Sequence, residues 1–158
     1  MRLIFVGGCE RSGTSLVQKI LTSHSRIAGG PELVFTGRIA DLYGRMAANY
    51  PAPYAPRIDA FYDGDELTAA FRSFYGSFFR KLSEKKKDAI YFSEKTPSNI
   101  FAASRLLQIF PDSLFVHVLR DGRDVLASHR DVQKRFEAAG EASYNRATFK
   151  TRHICARW

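Results

Sequence analysis

The stretch that most constrains this chain is Leu3-Ile4-Phe5-Val6-Gly7-Gly8-Cys9-Glu10-Arg11-Ser12-Gly13-Thr14-Ser15-Leu16. It reads as a short apolar strand, a glycine-rich turn and the opening of an amphipathic helix. Glycines at 8 and 13 let the backbone turn tightly and approach a ligand closely, and the free N–H groups at the helix start face bound anion. The spacing Gly8-x-x-x-x-Gly13 matches a phosphate-binding loop, but Thr14-Ser15 follows where a nucleoside triphosphatase carries Lys-Ser or Lys-Thr. The cationic side chain sits inside the loop instead, at Arg11. The loop suits an anion and lacks the group on which ATP or GTP chemistry relies.

A chain of 158 residues is one domain's worth, 1–158, with enough length for a core. Apolar residues at 45% and charged residues at 25% are ordinary for a globular protein, and no run of 18 apolar residues predicts a membrane span. The first strand begins at residue 3, which leaves no room for a signal peptide, so a cytoplasmic location is the default expectation. Cys9 and Cys155 are too few for a disulfide framework, and the histidines are scattered, so no metal is expected. A net charge of +8 favours anionic partners, although 24 Lys and Arg spread evenly would also give a basic surface with no specific nucleic-acid partner.

Residues 3–7 predict a strand buried on both faces, and Gly13 to His24 a helix with Leu16, Val17, Ile20 and Leu21 at helical spacing. A loop follows from Ser25 to Pro31, then a helix from Val34 to Tyr50, then an irregular connection at Pro51, Pro53 and Pro56. Asp63 or Asp65 caps a helix with Leu67, Phe71, Phe74, Phe78 and Leu82 on one stripe and Tyr75 and Phe79 beside it. Lys85-Lys86-Lys87 suits the negative end of that helix. A second strand spans Ala89–Phe92. Thr96-Pro97 starts a helix, the hydroxyl capping it, that stops at Pro111. A third strand spans Leu114–Leu119, followed by a helix through His129, a polar loop from Gln133 to Glu141 and a last helix from Ser143. Strands alternating with helices imply an α/β fold, a central parallel sheet flanked by helices with right-handed crossovers, and ligands beyond the carboxyl ends of the strands. The loop 8–13, Lys95 and Arg120 then share one edge of the sheet.

With these residues in place the chain resembles the sulfotransferases that use 3′-phosphoadenosine 5′-phosphosulfate (PAPS), nearest the tyrosylprotein sulfotransferase and bacterial sulfotransferase-domain branch. Arg11-Ser12-Gly13-Thr14-Ser15-Leu16 resembles that superfamily's 5′-phosphosulfate loop. Arg120-Asp121-Gly122-Arg123-Asp124-Val125-Leu126-Ala127-Ser128 resembles its 3′-phosphate motif, and Ser93-Glu94-Lys95-Thr96-Pro97 the segment between. The resemblance implies a three-layer, P-loop-like fold, PAPS as co-substrate without an obligatory metal, and a hydroxyl acceptor. Arg11, Ser12, Gly13, Thr14 and Ser15 would hold the 5′-phosphosulfate, with Arg11 also counted, beside Glu32 and Lys95, among the catalytic residues. Arg120 would fork onto the 3′-phosphate with the Ser128 hydroxyl adding a donor. Lys95 would neutralise charge on the leaving bridging oxygen, and Glu32 resembles the glutamate that serves as base in the tyrosylprotein branch. Geometry permits Glu32: the helix carries the chain about 18 Å away, and the eight steps back from His24 can span about 26 Å. Val34 stands where that branch carries a basic residue, so peptide-tyrosine specificity does not follow. Members of the superfamily are longer, so the resemblance implies adenine contacts and an acceptor-covering segment beyond Trp158.

Bland roles stay open beside these. Arg120 could pair with Asp121 or Asp124, Glu32 with Arg11, and Lys95 could be an ordinary exposed lysine; Arg123 is best read as a surface ion pair. A nucleotide kinase or triphosphatase, and a non-catalytic polyanion-binding module, are the competing functional classes.

Overall fold

The computed structural model describes residues 2–48, 60–84 and 86–140. Four strands, β1 (Arg2–Gly8), β2 (Ile27–Gly29), β3 (Tyr91–Lys95) and β4 (Leu114–Val118), form an all-parallel sheet in the order β2-β3-β1-β4. Among the described residues five helices connect or follow them: α1 (Thr14–Ser23), α2 (Thr36–Ala47), α3 (Gly64–Ser83), α4 (Ala103–Ile109) and α5 (Gly122–Ala138). A 3-10 segment, Pro97–Ala102, precedes α4. Helix α1 lies on one face of the sheet and α2, α3 and α4 on the other. The α/β architecture with a central parallel sheet flanked by helices is thus the one expected.

β1 is the central strand. Leu3, Ile4, Phe5 and Val6 are buried on both faces, as a near-continuous apolar run in a parallel sheet requires. On the α3 side, Phe5 and Phe92 meet Tyr75, Phe79, Leu106, Ile109 and Phe110 in one core. The rings of Tyr75 and Phe79 stand nearly perpendicular, 4.7 Å apart, and Phe79 lies 4.9 Å from Phe92. An edge-to-face pair such as Tyr75–Phe79 adds about 0.5–1.5 kcal/mol beyond the area it buries.

Several expectations are corrected. β2 lies inside the stretch read as loop, because three residues are too few for a period to register. β3 begins later than expected and runs through Ser93, Glu94 and Lys95, polar residues that ended the apolar run in the sequence. In α3 the buried positions are Leu67, Tyr75 and Phe79, while Phe74 is 57% exposed, so the helix is turned by about one residue from the expected stripe. That phase brings the Tyr75 hydroxyl onto Thr36. In α1, Leu16 and Ile20 face outward and Thr14 and Gln18 inward. Gln18 fixes this phase, donating to the Ser93 carbonyl at 2.9 Å and accepting the Ser93 hydroxyl at 2.6 Å. α5 continues through the segment expected to be loop, supported by a Gln133–Glu137 bond one turn apart and closed at Gly140, whose φ of 70° suits glycine.

The caps also differ in part. Asp63, not Asp65, caps α3, in a reciprocal box with Glu66. The Thr96 hydroxyl does not cap; it donates to Glu94. Lys86, expected to serve the end of α3, reaches instead to the end of α1, where its Nζ donates to the carbonyls of Thr22, His24 and Ile27 at 2.7–2.9 Å. The proline connection at 51–56 and the helix expected from Ser143 lie outside the described residues.

At Gly8 an added Cβ would stand 2.4 Å from the Val118 carbonyl oxygen, a backbone atom that cannot swing aside. At Gly76, inside α3, the nearest atom is the Arg80 guanidinium at 3.9 Å. Gly8→Ala is therefore expected to lower stability by about 1–3 kcal/mol and Gly76→Ala to raise it by about 0.5–1 kcal/mol, as read from paired denaturant titrations.

Candidate active site

The carboxyl ends of the strands bring the singled-out residues onto one rim. The register sets Val6 opposite Lys95 and Gly8 opposite Val118, so the turn after β1, the end of β3 and the residues after β4 are neighbours. The turn is built by its own backbone. Ser12 N–H donates to the Cys9 carbonyl at 3.1 Å, and the Ser12 hydroxyl donates to the same oxygen at 2.6 Å. Arg11 has a φ of 69° and Gly13 of 106°; only the second is at a residue free of Cβ cost. Gly13 stands at the N-terminus of α1, which has no side-chain cap. The opening N–H groups of Thr14 and Ser15 therefore have no side-chain cap, and the positive end of the helix dipole lies at the loop.

Two side-chain clusters flank this loop. On the β4 side, Arg120 Nη1 donates to the Arg11 carbonyl at 3.2 Å, and Arg11 Nε donates to Ser128 Oγ at 3.3 Å. The three residues marked for the two ends of one nucleotide are thus in contact across 109 and 117 residues of sequence. Arg120 also has Asp124 at 3.7 Å, the ion pair weighed against the clamp; the two contacts coexist. Arg123 pairs with Asp121, as expected, at 2.7 Å. Its guanidinium holds the Asp121 carboxyl down at about 2, and Asp121 caps α5 through the Arg123 N–H.

On the β3 side, Lys95 Nζ forms an ion pair with Glu32 Oε1 and donates to Ser15 Oγ at 3.1 Å. Two expectations change here. Lys95 is buried, 8% exposed, where the bland reading had it exposed, and Glu32 takes Lys95 as its partner in place of Arg11. Glu32 itself is exposed at the rim. Ser12 and Thr14 are buried, so Ser12 serves the loop with its hydroxyl and offers a ligand only its backbone.

Sequence reasoning missed Glu94, Gln18 and Asn99. Glu94 is 1% exposed and accepts from Thr96 Oγ1 at 2.6 Å, Asn99 Nδ2 at 2.5 Å and Leu33 N–H at 3.3 Å. Burial pushes its carboxyl above the ordinary value of 4.5, against these hydrogen bonds, which favour the charged form. A sequence signal existed: three polar residues directly after Tyr91-Phe92 are out of place at the end of a buried strand unless each is partnered.

One family model covers nearly the whole chain. The model of the sulfotransferase family aligns with residues 3–158. The chain belongs to the sulfotransferase family. Among its relatives, protein-tyrosine sulfotransferase 2 of Gallus gallus is 30% identical over 141 residues, covering 89% of this chain and 36% of that one. Protein-tyrosine sulfotransferase 1 of Homo sapiens gives the same figures, and the Drosophila melanogaster protein-tyrosine sulfotransferase is 27% identical over 128 residues. This sulfotransferase-family chain thus stands with the protein-tyrosine sulfotransferase-like branch and spans 36% of the length of the Gallus gallus and Homo sapiens relatives and 25% of the Drosophila melanogaster one.

The Glu94 carboxyl supplies a pH test. Its folded value lies above its unfolded one, so the native state holds the proton more tightly; the contribution to stability is complete below 4.5 and lost as pH rises through the folded value. Glu94→Gln removes this titration. The difference in unfolding free energy, variant minus wild type, is expected to grow with pH above 4.5, by at most about 1.4 kcal/mol per pH unit, in denaturant melts run across the pH range.

Proposed function

We propose that this sulfotransferase-family chain moves a sulfuryl group from PAPS to an acceptor hydroxyl. The observation that carries the reading is Lys95, bonded at once to Glu32 and to Ser15 of the loop. A base, a cation and the anion loop are joined in one contact set, and the Arg11–Ser128–Arg120 cluster stands on the loop's other side. The residues fit the co-substrate's charge distribution. Backbone N–H groups at 13–15 and Arg11 suit the 5′-phosphosulfate, and Arg120 with Ser128 suits the 3′-phosphate.

In this reading Glu32 takes the proton of the acceptor hydroxyl as its oxygen bonds to sulfur. Lys95 and Ser15 face the bridging oxygen, which keeps the electron pair when its bond to sulfur breaks, and adenosine 3′,5′-bisphosphate leaves. Positioning and charge stabilisation carry the reaction, as in phosphoryl transfer. Thr14, standing where nucleoside triphosphatases carry lysine, favours this reading over nucleotide hydrolysis.

The test is calorimetric titration with adenosine 3′,5′-bisphosphate together with a transfer assay from radiolabelled PAPS. Arg120→Ala is expected to weaken bisphosphate binding about 10- to 100-fold through loss of a charge-assisted contact. Glu32→Gln is expected to leave that affinity within about threefold while lowering transfer about a hundredfold or more. Wild-type protein that fails to bind the bisphosphate at millimolar concentration would sink the reading.

A further inference from the structure

Glu94 lies one residue before Lys95, and the chemistry above leaves it unused. Successive strand side chains face opposite sides of a sheet, so Lys95 projects toward α1 and Glu94 toward the helices on the other face. The connection from β2 to α2 crosses the end of β3 and is bonded on both sides of it. Glu32 meets Lys95 on one side, and the next residue donates its backbone N–H to Glu94 on the other. Beyond that point the segment is fixed again. The Leu33 carbonyl accepts Thr36 N–H at 2.8 Å and the Thr36 hydroxyl at 2.7 Å, and Thr36 meets the buried Tyr75 hydroxyl.

We infer that Glu94 is a positioning residue for Glu32: by accepting the Leu33 N–H from inside the core, it sets where the preceding carboxylate stands relative to Lys95. The inference rests on the reading of Glu32 as proton acceptor. The residue type follows from the donors. Leu33 N–H and the Thr96 hydroxyl both address Oε1, and Asn99 Nδ2 addresses Oε2. A group accepting on both oxygens meets all three. Glutamine keeps Oε1 and turns an amide toward Asn99, whose Oδ1 has no partner among the described residues and can accept it once the Asn99 amide turns over. Alanine removes both oxygens, leaving the Leu33 N–H and the Thr96 hydroxyl buried without this acceptor and Asn99 Nδ2 with only the Val6 carbonyl at 3.4 Å. A side chain held through the adjacent peptide is displaced when that peptide is released, and displacement of about 1 Å can cost about a hundredfold in rate.

The experiment compares wild type, Glu94→Gln and Glu94→Ala in the full chain. It measures hydrogen exchange at the Leu33 amide, affinity for adenosine 3′,5′-bisphosphate, and sulfuryl transfer from radiolabelled PAPS to a tyrosine peptide and to water. Glu94→Ala is expected to speed exchange at Leu33 at least about tenfold and to lower kcat about 10- to 100-fold. Its bisphosphate affinity and donor KM stay within about threefold. Glu94→Gln is expected to restore both exchange protection and kcat to within about threefold of wild type. Should the alanine variant not fold, Glu94→Asp, which withdraws the carboxylate by one methylene, is expected to show the same split. Wild-type kcat in Glu94→Ala or Glu94→Asp overturns the inference, as does a glutamine variant with a protected Leu33 amide and the kcat of the alanine variant. Parallel loss of bisphosphate binding and transfer overturns it too, since the defect is then general. Wild type that does not bind the bisphosphate, or binds it and transfers sulfate to neither probe, overturns the role of Glu32 itself and with it the function proposed above.

Discussion

Parallel pairing of β1 with β3 on one side and β4 on the other is the constraint on which the rest depends. Val6 sits opposite Lys95 and Gly8 opposite Val118, so three chain segments end at the same height. A slip of one residue along β3 would send Lys95 to the face now held by Glu94, the side of the aromatic core, and away from Glu32 and Ser15. The register is protected on both sides. Phe5 and Phe92 lock one face into the aromatic core, and the paired bonds of Gln18 with Ser93 lock the other. β1 itself contributes no side chain to the rim; its apolar residues hold the neighbours in place.

The site is divided between water and protein interior. Arg11, Glu32 and Arg120 are exposed, whereas Lys95 and Glu94 are buried. Lys95 can be buried because its charge is met by Glu32 and its remaining donors have Ser15 within reach. The same ammonium in an apolar setting would cost several kcal/mol. The chain therefore places one cation under the loop with little freedom and leaves the arginines on the outside with more.

Much of this was legible in the amino-acid order. The strand–loop–helix at 3–24, the aromatic helix at 64–83 and the arginine after β4 each carry a local pattern that survives in the fold, and the parallel sheet follows from their alternation. Glu32, Lys95, Arg11, Arg120 and Ser128 were singled out, and the fold brings them into two contact clusters around one loop. What local patterns could not carry is phase and partnership. Helices α1 and α3 are rotated by hydrogen bonds to distant residues, Ser93 and Thr36, which no periodicity reports. β3 looked shorter than it is because its last three residues are polar, and each is buried only because a partner comes from elsewhere in the chain. Lys86 seemed to belong to the helix it follows; its nearest acceptors lie some sixty residues earlier.

Arg11 holds a backbone conformation that costs a side-chain-bearing residue about 1–2 kcal/mol, while its guanidinium reaches Ser128 and its carbonyl receives Arg120. Glycine would relieve the backbone and delete the guanidinium; lysine would keep a charge, pay the same conformational cost and lose the planar fork. Under the function proposed above, position 11 is a place where what suits folding and what suits anion recognition diverge, and the arginine there sides with recognition.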